Sequence, residues 1–277
     1  MDISELALPR DAQGFLYLQK NYSELYQKSS YLTKESIIID RIYEYDIKAA
    51  NISALKQEGF DSDVLDKLAK LNKMDREVAV GKMIAQDKRI GHIIKKQIKR
   101  AREILFRSNN IQTDRVLSIK NDAVFVIGRS LANTKFGDME FKLKNQYAAF
   151  IQMDGLELYY NRRKSTVDIK GVSDEVINNT DHQTGIISFI CKVMEYLVMD
   201  RRDALRKYLI DFTHRYKARE LPVQFYREMN SNDIYRTIYE LSGYSFNLLM
   251  VDQSDVNILN IQYNYNRYVL PLIQMFI

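Results

Sequence analysis

Cysteine, histidine, proline and tryptophan are scarce in this 277-residue chain: one Cys, three His, three Pro and no Trp. With Cys191 alone, an intramolecular disulfide and any zinc site built from cysteine pairs are excluded. Cys191 lies in the apolar run IISFICKVM and reads as a core residue. His92, His182 and His214 share no metal-ligand spacing such as HExxH, so a chemistry depending on several histidines is not expected. No uninterrupted apolar run approaches the roughly 20 residues that a membrane helix requires. The start, MDISELALPRDAQGF, has neither the basic nor the apolar region of a secretory signal, so the expectation is a cytoplasmic protein that stays off the membrane.

What is present is a globular composition: 46% hydrophobic and 28% charged residues, with a formal net charge of +5 from 41 Lys+Arg against 36 Asp+Glu. An evenly spread charge of that size is ordinary, and clustering is what would point to an anionic partner. The chain is long enough for one large domain or two smaller ones. The 19 tyrosines, with many Asn and Ile, are the composition of an A/T-rich, viral genome.

Residues 1–35 are mixed and polar, with YLQKNYSELYQKSSYL suggesting a short helix. SIIIDRIYEYD, residues 36–46, is β-branched and aromatic and predicts one or two strands. A short helix or turn follows at Ala49–Leu55. From Asp61 to about Phe106 the apolar spacing is helical: Val64, Leu65, Leu68 and Leu71 recur, Asp61 or Ser62 can cap, and a second helix starts near Asp75. Asp87–Arg107 is the clearest amphipathic helix, with Ile90, Ile94, Ile98, Ala101 and Leu105 on one face and Lys88, His92, Lys95, Lys99 and Arg102 on another. Glu103 is the only acid among eight Lys/Arg from Lys88 to Arg107. Stacked like charges cost about 0.2–0.5 kcal/mol per pair, and a polyanion along that face would relieve the repulsion.

Strand character returns at Arg115–Ile127, Phe136–Leu143, Ala148–Met153, Leu156–Tyr160 and Thr166–Ile169, punctuated by Gly137, Asp154-Gly155 and the polar run NRRKS. Residues 173–277 are mainly helical, through IISFICKVMEYLVM, Arg201–Arg219 and a stretch around Asp233–Leu241.

Two apolar stretches each deliver an acid: IIIDRIYEYDIKAANIS carries Asp46, and VLSIKNDAVFVIG carries Asp122. If the strands pair, the carboxylates of Asp46 and Asp122 can hold divalent ions, with the backbone carbonyl of Ile47 as a further ligand. Phosphoryl transfer needs that arrangement, because its demands are in-line positioning and neutralisation of phosphate charge.

In this region the chain resembles the family B DNA polymerases. Asp46-Ile-Lys-Ala-Ala-Asn-Ile-Ser53 is similar to the family's first palm motif, a metal-binding Asp followed seven residues later by Ser. Lys120-Asn121-Asp122 before AVFV is similar to its Asp-Thr-Asp motif, with only the second Asp kept. MEFKLKNQYAAFI looks like the Leu-Glu-Phe-Glu-Lys-x-x-Tyr segment, and LELYYNRRKSTVDIKGV like the Lys-Lys-x-Tyr hairpin and following Lys-Gly, with Tyr160, Lys170 and Gly171 in register. The departures are Lys120 for the first Asp, Ala123 for the Ser, Glu157 and Leu158 for the paired lysines, and Asn51 for the Tyr that excludes ribonucleotides.

The resemblance spans about residues 36–172 and implies an α+β fold: a polymerase-like palm with an antiparallel β-sheet (36–60 and 108–172), a helical fingers-like insertion (61–107) and a helical thumb-like domain (173–277), after an N-terminal segment (1–35). It implies a DNA polymerase-like nucleotidyltransferase using two Mg2+, or Mn2+, bound by Asp46, Asp122 and Ile47. Arg76, Lys82 and Asn51 would meet the nucleoside triphosphate. Lys88, Lys95, Lys99, Arg102, Tyr160, Arg162, Arg163 and Lys170 would meet the primer-template nucleic acid. With 45 residues ahead of Asp46, no proofreading exonuclease is expected. The alternative is an inactive polymerase relative that binds nucleic acid or assembles a complex, with a protein partner on the aromatic C-terminal stretch YNYNRYVLPLIQMF.

Overall fold

The computed structural model describes residues 22–153, 155–227, 229 and 262–277. They form an α+β protein with helices and antiparallel strand pairs. The chain folds as two compact units, each drawn from separate stretches: residues up to 34 with 41–146, and residues 35–40 with 147 onward. This partition corrects the one read from the sequence. The β-rich stretch 36–60 and 108–172 is not one domain, and the helices of 61–107 share a core with the first sheet rather than standing apart as an insertion.

The first unit runs β1 (Ser30–Leu32), β3 (Ile42–Ile47), α1 (Ala50–Gln57), α2 (Ser62–Ala69), α3 (Lys73–Gln86), α4 (Lys88–Ser108), β4 (Val116–Lys120), β5 (Ala123–Ile127), β6 (Lys135–Phe136) and β7 (Met139–Tyr147). The strand β2 (Ile37–Ile38), between β1 and β3 in the chain, belongs to the second unit. The sheet of the first unit has the order β1-β4-β5-β3-β7-β6. The helix starts follow local chemistry: the Asp61 carboxylate accepts from the N–H groups of Asp63 and Val64, Asn72 from Asp75, and Asp87 from Arg89.

Strand alternation divides the sheet into two faces. Tyr43, Tyr45 and Ile47 of β3, with Val124 and Val126 of β5, pack in one core with Leu55, Leu65, Leu68, Ile90, Ile94, Leu105 and Phe106 of the helices. Ile42, Glu44 and Asp46 are the intervening residues of β3 and project to the other face, opposite Ile127, Phe125 and Ala123 in the register. Helix α1 is held against β7 through Gln57, whose Oε1 accepts from the Asp138 N–H at 2.8 Å. Gly137 (φ 59°) sits in left-handed backbone that favours glycine, and a Cβ there would lie 2.5 Å from that same oxygen, so the Gln57 amide would have to move aside.

The junction from β3 into α1 is strained at Ala49, a non-glycine residue at φ 46°. Left-handed backbone costs an L-residue about 1–2 kcal/mol. Ala49→Gly is therefore expected to raise the unfolding free energy by about 1 kcal/mol in urea titration. A loss of stability on that substitution would contradict the strain.

The second unit contains β2, β8 (Ala149–Met153), β9 (Leu156–Asn161) and β10 (Thr166–Lys170), in the order β10-β9-β8-β2, followed by α5 (Asp174–Asn178), α6 (Thr180–Thr184), α7 (Ile186–Val198), α8 (Arg202–Lys217) and α9 (Leu270–Phe276). Its core joins Ile151, Leu156, Leu158 and Val167 of the sheet to Ile186, Phe189, Ile190, Val193 and Met194 of α7. Phe189 stacks on Phe212 of α8 with ring centroids 3.9 Å apart.

In the C-terminal stretch, Tyr268, Val269 and Leu272 are core residues, and the Tyr268 hydroxyl donates to the Met229 carbonyl at 3.0 Å. These three side chains face inward and are not a docking surface. The helix expected at YLQKNYSELYQKSSYL is, among the described residues, a short 3-10 turn at Glu24–Gln27 followed by β1. The helix expected around Asp233–Leu241 lies outside the described residues. Among the described residues no helix is long and apolar enough to cross a membrane.

Candidate active site

The two acids singled out in the sequence meet in the first unit. Asp46 ends the pairing of β3 with β5 opposite Ala123, and Asp122 is the residue before Ala123, in the two-residue turn that joins β4 to β5. The Ile47 N–H donates to the Asp122 carbonyl at 3.3 Å, tying the end of β3 to that turn. The Asp122 carboxyl is held above the usual carboxylate range, first by burial and then by the negative charge of Asp46, with which it also shares a hydrogen bond.

A third acid and a cation lie beside this pair. Glu44 lies two residues before Asp46 on the same face of β3 and is only 2% exposed. A buried carboxylate requires partners. Asn145 Nδ2 donates to Glu44 Oε2 at 2.7 Å, and Lys144 Nζ lies 3.6 Å from Glu44 Oε1. The same ammonium lies 3.6 Å from Asp46 Oδ2. Burial acts to lower the Lys144 pKa, but Glu44 and then Asp46 outweigh it, and the net displacement is upward. Lys144 is therefore a firmly charged side chain.

The turn carrying Asp122 is anchored from below. Asn121 adopts φ 52°, and its N–H donates to the Ser29 carbonyl at 2.8 Å. Its own carbonyl accepts from Arg102 Nη1 at 2.8 Å, while Arg102 Nε donates to the Tyr26 carbonyl, also at 2.8 Å. Arg102 is 1% exposed. Burial pushes its pKa down to about 10, against the opposing charge of Asp122, so the guanidinium stays cationic at neutral pH.

This corrects the assignment of Arg102 to an exposed basic stripe: it is a buried clamp on the turn. Lys88, Lys95 and Lys99 are exposed on α4, as that stripe requires. Arg102 is buried because the segment around Tyr26 covers this end of α4, where Tyr26 packs edge-on to Phe106, with centroids 6.3 Å apart.

The remaining candidates divide between the units. Asn51 is half-buried in the first turn of α1, and Arg76 is half-buried and Lys82 exposed on α3. The Ser53 hydroxyl, seven residues after Asp46, donates to the Lys48 carbonyl at 2.7 Å and so fastens the strand-to-helix junction. Tyr160, expected to touch nucleic acid, is instead 3% exposed in the core of the second unit. Its place follows from alternation with Leu156 and Leu158 along β9. Arg162 and Arg163 are exposed between β9 and β10, and Lys170 ends β10, all in the second unit.

Among the described residues no three acids, histidines or cysteines converge as a metal cluster. Asp46 and Asp122 nevertheless fit a divalent ion. They are two close carboxyls, one of them raised by burial and then by the charge of the other, and Mg2+ is characteristically held by one or two carboxylates plus substrate phosphates.

No curated protein matches the chain in sequence. The model of one family, the bacteriophage PBS1 gene 130 protein, matches residues 20–277, and the chain belongs to that family.

Proposed function

We propose that this protein is a nucleotidyltransferase with a polymerase-like palm in its first unit, extending a primer on a nucleic-acid template. One observation carries this reading: Asp46 at the end of β3 and Asp122 in the turn that leads into β5 meet at one end of the sheet, where burial and then the charge of Asp46 raise the Asp122 carboxyl. Two carboxyls brought together in a part-buried setting, one of them raised by burial and by the other's charge, are a candidate cation site.

In this reading Asp46 and Asp122 hold the divalent ions, two Mg2+ or Mn2+. Such ions supply Lewis-acid neutralisation of the phosphate oxygens and of the attacking hydroxyl. Arg102 and Ser53 hold the two backbone turns that present the acids. Arg76, Lys82 and Asn51 meet the triphosphate, and Asn51 leaves more room at the sugar than a tyrosine would. The phage origin of the family agrees with work in a host cytoplasm.

The test is primer extension by the full chain with Mg2+ or Mn2+ and with ribo- or deoxyribonucleoside triphosphates, beside Asp46→Asn and Asp122→Asn. Incorporation that disappears in both variants is expected. No incorporation by the wild type under any of these conditions would end the enzymatic reading.

A second reading is a nucleic-acid-binding or assembly protein without turnover, and the exposed Lys88, Lys95 and Lys99 on α4 favour it as much as the first. In either case Lys95→Glu with Lys99→Glu should weaken binding to single- or double-stranded nucleic acid. Each lost phosphate contact should flatten the slope of log affinity against log salt by about 0.7–0.9. An unchanged slope would remove this face from the interface.

A further inference from the structure

The proposed reading assigns no part to Lys144, although its ammonium lies between Glu44 and Asp46. It reaches in from β7, a strand remote in sequence from Asp46 and adjacent to β3 in the sheet. Both contacts, to Glu44 Oε1 and to Asp46 Oδ2, are 3.6 Å, beyond the length of a close charge-assisted hydrogen bond, and the side chain is 53% exposed. The ammonium is therefore near enough to neutralise and loose enough to leave. Glu44 does not depend on it alone, since Asn145 Nδ2 also donates to its carboxylate.

We propose that Lys144 is a built-in competitor for the cation site: its ammonium neutralises Glu44 and Asp46 when no divalent ion is bound, and metal binding has to displace it. This rests on the reading of Asp46 and Asp122 as the metal-holding pair and adds to it a residue that sets how tightly the ion is held. A lysine suits the role because its charge is a compact point on a flexible stem that can swing to solvent or to a substrate phosphate. The cluster is thereby kept from full self-repulsion in the free protein, and ion affinity is held down until the lysine finds another anion.

The two consequences have opposite signs. Lys144→Met removes the resident cation, so in EDTA the variant should melt below the wild type. With the competitor gone, Mn2+ should bind the variant about tenfold more tightly or better at low ionic strength. Lys144→Arg, which keeps the charge, should stay within about threefold of the wild type, since the charge that competes is retained. Mn2+ titration followed by electron paramagnetic resonance on the three full-length proteins, with melting curves in EDTA, reads both effects without requiring activity.

A lysine with a purely structural role would lower the melting temperature without tightening Mn2+. That result, or equal Mn2+ affinity in wild type and Lys144→Met, overturns the proposal while leaving the metal pair standing. If none of the three proteins binds Mn2+, and Asp46→Asn and Asp122→Asn change nothing, the metal-site reading falls and this proposal with it.

Discussion

Asp122→Asn is expected to melt at a higher temperature than the wild type in EDTA at neutral pH, although it removes the residue on which the proposed activity depends. In the folded protein, burial and then Asp46 raise the Asp122 carboxyl. A carboxyl raised on folding contributes stability that is complete below its unfolded value of about 3.9 and is lost as pH rises through the folded value. As pH rises through the folded value the wild type loses that contribution, whereas asparagine never ionises. The two proteins should thus be nearly equal in acid, and the variant should pull ahead as the pH climbs out of the acidic range.

Divalent ions should reverse the order. A ligand at a hundredfold excess over its dissociation constant stabilises the state that binds it by about 2.7 kcal/mol, and Asp122→Asn forfeits most of this. Primer extension should fall by about a thousandfold or more in the same variant. Melting curves from acid to neutral pH, with EDTA and then with Mn2+, check each arm. A variant that melts below the wild type in EDTA at neutral pH would show that the two acids are not in conflict.

The second large effect is expected at Arg102. Arg102→Met leaves the part-buried carbonyls of Tyr26 and Asn121 without their donor. Each stranded group costs about 1–3 kcal/mol, so a loss of about 3 kcal/mol or more is expected in urea unfolding. Arg102→Lys should recover only part, because a single ammonium cannot reproduce the rigid fork that spans two carbonyls. With the turn slackened, Mn2+ affinity should fall even though neither Asp46 nor Asp122 is altered. A loss below about 1 kcal/mol would mean that solvent or a neighbouring group takes over both carbonyls.

These two residues mark the boundary of what could be read without coordinates. Periodicity located the strands at 116–127 and 149–170, the helix at 87–107 and its start at Asp87, because those signals reside in a few consecutive residues. Asp46 and Asp122 were legible for the same reason, each being an acid delivered by a β-branched run.

Glu44 carried a signal that can be read in hindsight: i and i+2 on a strand share a face, so Glu44 had to accompany Asp46. Tyr160 carried one too, in its alternation with Leu156 and Leu158. Lys144 carried none. Its approach depends on β7 lying beside β3, and strand order is decided by pairing between distant segments. The burial of Arg102 carried no signal in its own helix, because it depends on the distant segment around Tyr26 covering the end of α4. The division into two units was hidden for a related reason, since the strands on either side of Gln146 differ in their partners more than in their composition.

The strand β2 also bears on how the chain comes off the ribosome. Ile37 and Ile38 pair with Ile151 and Phe150, and the Ser36 carbonyl accepts from the Gln152 N–H at 2.8 Å. The flanking strands β1 and β3 join the other sheet. The edge of the second sheet is thus synthesised before residues 41–146 of the first unit and must wait for β8, leaving an apolar segment with open backbone groups in the interval. A fragment beginning at Tyr147 would lack that edge altogether. Supplying residues 35–40 as a separate peptide, or grafting them through a loop onto the start of β8, is the way to obtain the second unit as an independent body.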